Sequence, residues 1–138
     1  MCSSDLEFPV VDNRIVGLPY RYSFNVLFEP GQWLMSGLKR YDLKTGAMQR
    51  YEYGPGRYGS EPQVARRVGG TAEDDGYLLV FVVNMNTDRG ECLIFDAADV
   101  AKGPVCTITL PTRLNVGTHA CWVEGFRLDG EPQRTRAA

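Results

Sequence analysis

The chain contains one histidine, His119, and four cysteines, Cys2, Cys92, Cys106 and Cys121. A single imidazole binds a metal ion too weakly to hold it. A lone histidine in a strand-like run therefore packs or faces solvent unless other ligands converge on it. The cysteines form no CxxC pair, and their spacing fits neither a zinc site nor a disulfide framework. They read as reduced thiols that pack as small buried hydrophobes, with Cys92 and Cys106 inside strands. Glu73, Asp74 and Asp75 have the residue types for paired-carboxylate acid–base work. Their setting, AEDDG between two apolar runs, is instead that of a solvated hairpin loop. Gly54 to Gly59, GPGRYG, matches the GxGxxG of dinucleotide sites. That mechanism needs a helix starting at the glycines to aim N–H groups at a pyrophosphate. Pro62 and the lack of helical period in SEPQVARR leave a connecting loop as the reading.

The elements that must position these residues are strands. Arg21–Phe28, Gln32–Leu43 and Ala47–Tyr53 alternate or are rich in aromatic and branched residues, with a reversal at Lys44–Gly46. Pro62–Val68, Tyr77–Met85, Glu91–Ala97 and Val105–Pro111 continue the pattern, and Tyr77–Met85 is apolar enough to be central. Ala97–Pro104 has room for one helical turn. Thr118–Val123 reads as a last strand. Turn signals about every ten residues predict an all-β fold of antiparallel meander strands, and consecutive hairpins favour propeller blades. Two runs of about four strands fall on either side of the GSEP stretch, residues 59–62.

Composition narrows the function classes. Hydrophobic residues make up 43% and charged residues 23% of 138, which is globular rather than disordered. A net charge of −2 without a basic block argues against a nucleic-acid partner. The longest apolar run, YLLVFVV, is strand-sized and too short for a membrane helix. The opening residues show no charged-then-apolar targeting pattern. With reduced thiols, this gives the expectation of a cytoplasmic protein.

Three stretches carry more. They are EFP (Glu7–Pro9), YGSEP (Tyr58–Pro62) followed by AEDDGYLL (Ala72–Leu79), and THACW (Thr118–Trp122). In this order and spacing they resemble the C-terminal part of the carotenoid cleavage oxygenase family. PYRY, LKRYDLKTG and IFDAADVAKGPV between them are similar to it as well. The resemblance implies a non-haem iron(II) enzyme on a seven-bladed β-propeller. In that family four axial histidines hold Fe(2+), and three glutamates hydrogen-bond the rings of three of them. O2 then cleaves a C=C bond of a carotenoid, apocarotenoid or stilbene-type substrate into two carbonyl products. His119 falls where the last iron ligand falls. Glu7 and Glu61 fall where two of the ring-holding glutamates fall. Trp122 is expected to pack near the axis. The chain departs from the family at Ala120, where glycine is usual, and at Thr118, where a large apolar residue is usual.

The resemblance sets three regions. Residues 1–6, MCSSDL, are unlike the family and match the translation of a sequencing-adapter end, so they read as a non-native leader. Residues 7–125 read as the C-terminal part of a propeller dioxygenase domain, about its last two blades, and residues 126–138 as a polar tail. Three iron ligands are expected upstream, so the chain alone is expected to be inactive. Open strand edges predict that it aggregates or folds only partly by itself. Peripheral membrane contact is expected only through segments outside the chain. The implied partners are an apolar conjugated small molecule and O2. The rival reading is a non-catalytic all-β binding or interaction module, in which His119 is structural.

Overall fold

The computed structural model describes residues 8–123. Among them, β1 (Tyr22–Phe28), β2 (Met35–Asp42) and β3 (Met48–Glu52) form one antiparallel meander. Val10 bridges Phe24 on the free side of β1, with N···O distances of 2.7 and 2.9 Å. A fourth, very short strand thus edges this sheet. The second sheet runs β4 (Arg57–Gly59), β6 (Gly76–Asn84), β7 (Arg89–Asp96), β8 (Pro104–Thr109), with β5 (Gln63–Arg66) also on β6. β4 and β5 therefore act as one interrupted strand, and both sheets are four strands deep, as in adjacent propeller blades. Short 3-10 turns occupy Asn13–Ile15 and Val100–Lys102.

The two-residue period places the core. In β6, Leu78, Val80 and Val82 are fully buried, whereas Phe81 on the alternate face is 43% exposed. Leu93 and Phe95 of β7 join the buried face, and Phe24 and Leu38 meet them from the first sheet. The Tyr51 ring packs edge-to-face on Phe95, with centroids 5.2 Å apart.

Polar ties lock the sheets together. The Glu73 carboxylate accepts from the backbone N–H of Arg21 (2.9 and 3.0 Å) and Tyr22 (2.8 Å). Asp74 pairs with the largely buried Arg40 at 2.6 Å, and Arg40 also lies 4.0 Å over the Tyr22 ring. The AEDDG loop is thus a clasp rather than a solvated hairpin. The first N–H groups of β1 need an acceptor, and a carboxylate 52 residues away supplies it. Gln49 adds a second tie, accepting from Val100 N–H at 3.0 Å and donating to the Ala98 carbonyl at 3.3 Å. Asp12 adds a third, pairing with Arg66 at 2.7 Å.

Other expectations are corrected. The chain leaves the first sheet at Gly54, not at GSEP, because Gly54 and Gly56 adopt φ of 89° and 70° and turn it. The GxGxxG stretch is therefore a turn followed by β4. β2 starts at Met35, because Glu29 N–H bonds the Leu34 carbonyl at 2.8 Å and closes a turn ahead of it. Thr118–Val123 is not a strand. Its extended backbone finds one rung, not a ladder, since the Thr118 carbonyl accepts from Glu61 N–H at 3.1 Å. Cys92 is buried as expected, but Cys106 on the outer strand and Cys121 are exposed. Trp122 is 40% exposed, so it is not a packed residue among those described.

Breaking the clasp by Asp74→Asn leaves the buried Arg40 without its counter-charge. The expected loss is about 3 kcal/mol of unfolding free energy, read by urea denaturation. Acid should act similarly. Burial raises the Glu91 carboxyl, but hydrogen bonds from Asn84 and Arg57 outweigh it and hold the group below its ordinary value. For Asp12, burial is likewise outweighed by Arg14 and Arg66. Both groups are depressed, so their contribution is complete above the unfolded value near 4 and is lost as pH falls through the folded one. Thermal melts should drop below pH ~4, and Glu91→Gln should flatten that drop.

Candidate functional site

The interruption between β4 and β5 is a β-bulge. Gly59 pairs with Val82 and Gln63 with Leu79, so Ser60, Glu61 and Pro62 oppose only Val80 and Phe81. Pro62 has no N–H to give the ladder, which favours a break at this point. Ser60 holds the two ends together. Its N–H donates to the Phe81 carbonyl at 2.8 Å, and its hydroxyl donates to the Glu61 carbonyl at 3.1 Å while accepting from Phe81 N–H at 3.3 Å. The bulge swings Glu61 out of register, and its N–H reaches the Thr118 carbonyl instead of β6.

That rung carries the neighbouring residue to the carboxylate. His119 Nδ1 lies 3.0 Å from Oε1 and 3.2 Å from Oε2 of Glu61. The Glu61 side chain is 11% exposed and the His119 side chain 76%. An ionised carboxylate only accepts, so Nδ1 carries the proton and donates. Nε2, on the far side of the ring, is then the atom with a lone pair. A buried acceptor behind an exposed imidazole is the arrangement that orients a metal-binding histidine. His119 and Glu61, far apart in sequence, are thus brought together. Glu7 lies outside the described residues. Glu73 and Asp74 are engaged in the clasp, and Asp75 pairs with Arg67 at 2.8 Å, away from the site.

One aromatic ring stands beside His119, backed by two more. The Phe8 ring stands edge-to-face to the imidazole with centroids 6.3 Å apart. Behind it, Phe28 and Trp33 stack at 4.9 Å. The signal lies in EFP itself, whose phenylalanine follows the glutamate. On the other side, Ser60, Phe81, Leu114, His119 and Ala120 line a cleft of about 240 Å³. This is below the size of a typical small-molecule site.

Among the described residues, no group of three or more His, Cys, Asp or Glu side chains converges as a metal site.

The family model described as retinal pigment epithelial membrane protein matches residues 1–124. The chain belongs to the carotenoid cleavage oxygenase family. It is 31% identical to lignostilbene-alpha,beta-dioxygenase isozyme III of Sphingomonas paucimobilis, over 88% of this chain and 27% of that protein. It is 32% identical to the apocarotenoid-15,15'-oxygenase of Synechocystis, over 90% of this chain and 26% of that one. The cobalt-substituted Synechocystis enzyme superposes with a TM-score of 0.73 at 31% identity, covering 80% of this chain and 24% of that structure. The chain therefore spans about a quarter of the length of the relatives it matches. Its two sheets are blades of a β-propeller, and the histidine–carboxylate pair stands at the bulge between β4 and β5.

Space around that bulge is tight. A Cβ at Gly59 would lie 2.7 Å from Tyr53 Cε2 and 3.1 Å from its Oη. Tyr53 is itself 2% exposed and cannot retreat. Gly59→Ala should lower stability by about 1–3 kcal/mol, seen as a lower thermal midpoint.

Proposed function

We propose that these residues belong to an iron(II)-dependent dioxygenase that cleaves a C=C bond of an apolar conjugated substrate with O2, giving two carbonyl products. The substrate class is carotenoid, apocarotenoid or stilbene-type. The observation that carries the reading is the buried Glu61 carboxylate closing on Nδ1 of an exposed His119. Relatives named as dioxygenases and oxygenases support it over a non-catalytic binding module. A metal site is further supported by the cobalt-substituted structural neighbour.

In this reading His119 offers Nε2 to Fe(2+) as one of four ligands. Glu61 keeps the proton on Nδ1, fixes the tautomer and raises the basicity of the ring. Glu7, beside Phe8, is a second orienting carboxylate for a histidine elsewhere in the enzyme. Iron, when bound, supplies the activation of O2 that the cleavage needs. With one histidine, the 138-residue chain alone neither holds iron nor turns over substrate. Ala120 and Thr118 do not prevent the pair from forming, because the contact from Thr118 is made by its backbone.

In the complete enzyme carrying these residues, His119→Ala should abolish iron retention and alkene cleavage. Glu61→Gln should weaken iron binding about 10–100-fold. Iron content after dialysis and carbonyl product formation measure both. Full iron occupancy in His119→Ala would refute the assignment.

A further inference from the structure

We propose that Phe8 is a positioning residue for His119, setting the plane of the imidazole that Glu61 tethers. The inference rests on the reading of His119 as a metal ligand.

One carboxylate at Nδ1 fixes the distance of the ring but leaves rotation about the Nδ1···O line open. Little else restrains it, since the His119 side chain is 76% exposed. Phe8 supplies the missing contact, its ring tilted 67° to the imidazole at 6.3 Å. The Phe8 ring is itself seated against Phe28 at 6.1 Å and Trp33 at 6.0 Å. Those two rings stack on each other with an interplanar angle of 29°. Phe8 is thus backed by a two-ring platform and presents its remaining side to His119. It is not part of the buried core cluster between the sheets.

The backbone points the same way. Phe8 has a φ of 52°, a left-handed conformation that a bulky side chain rarely adopts. It also precedes Pro9, which favours extended geometry at the residue before it. Two residues on, Val10 is pinned to Phe24 by two backbone hydrogen bonds. The chain therefore holds Phe8 in a disfavoured conformation between a fixed strand and a ring platform. Such strain persists where the surroundings over-determine it, and it gathers at functional sites.

The test uses the complete enzyme carrying these residues, with Co(II) in place of iron, because its d–d absorption reports ligand geometry directly. Phe8→Leu is expected to weaken Co(II) binding about 10-fold and to alter the d–d bands, and Phe8→Tyr to restore both. Should Phe8→Leu fail to fold, Phe8→Gly relieves the left-handed strain and should show the same altered bands. His119→Ala separates the two readings. If it abolishes Co(II) binding while Phe8→Leu, or Phe8→Gly in its place, keeps the parent affinity and spectrum, the positioning role is overturned and the ligand reading stands. If His119→Ala itself binds Co(II) with the parent spectrum, both fall. A lowered melting temperature in Phe8→Leu with unchanged bands and affinity also overturns it, since that is packing alone.

Discussion

One extra residue between β4 and β5 governs this structure. Ser60, Glu61 and Pro62 stand opposite two residues of β6, and that mismatch cannot be absorbed by a regular ladder. Pro62 cannot donate, and Ser60 spends its N–H and hydroxyl on the edges of the gap. Glu61 is left with an N–H that must find an acceptor outside the sheet. It takes the Thr118 carbonyl, and this single rung brings His119 onto the carboxylate. An irregularity in pairing thereby sets an imidazole against a buried carboxylate.

The bulge works only because its surroundings are rigid. Below it, Leu78, Val80 and Val82 are sealed against the first sheet. Around it, three polar ties join the two sheets: Glu73 and Asp74 to the start of β1 and Arg40, Gln49 to Val100 and Ala98, and Asp12 to Arg66. Each tie spends carboxylates or amides that might otherwise look catalytic. The buried Arg57–Glu91–Asn84 group is another such structural network, with Asn84 donating to Glu91 at 2.8 Å. In this protein the acidic residues Glu73 and Asp74 fasten the two sheets, and the histidine stands apart from them, on the Glu61 carboxylate.

Much of this was legible in the residues. β1, β3, β6, β7 and β8 fall where their residue types and turn signals place them, and the two-residue period of burial is clear in β3 and along most of β6. The motifs SEP, AEDDG and THACW, taken together, pointed to the family and to His119 and Glu61. Hidden were features that depend on partners distant in the chain. Glu73 gave no sign of capping β1 across 52 residues. Arg57–Gly59 looked like loop because three residues between glycines carry no period, yet Val82 to Asn84 offered them a free edge. Thr118–Val123 had strand-like residues but no neighbouring strand to pair with.

The sequence by itself determined an all-β chain of hairpins, the apolar centre at Tyr77–Met85 and the family resemblance that singles out His119 and Glu61. These follow from periodicity, turn chemistry and residue type, which are local. Only the tertiary structure decided how Glu61 reaches His119, where the first sheet ends, which carboxylates are clasps and that Phe8 lies against the imidazole. Those outcomes depend on which unpaired N–H group finds which acceptor, and on one strained backbone turn. Such choices are made between segments tens of residues apart, where no local pattern records them.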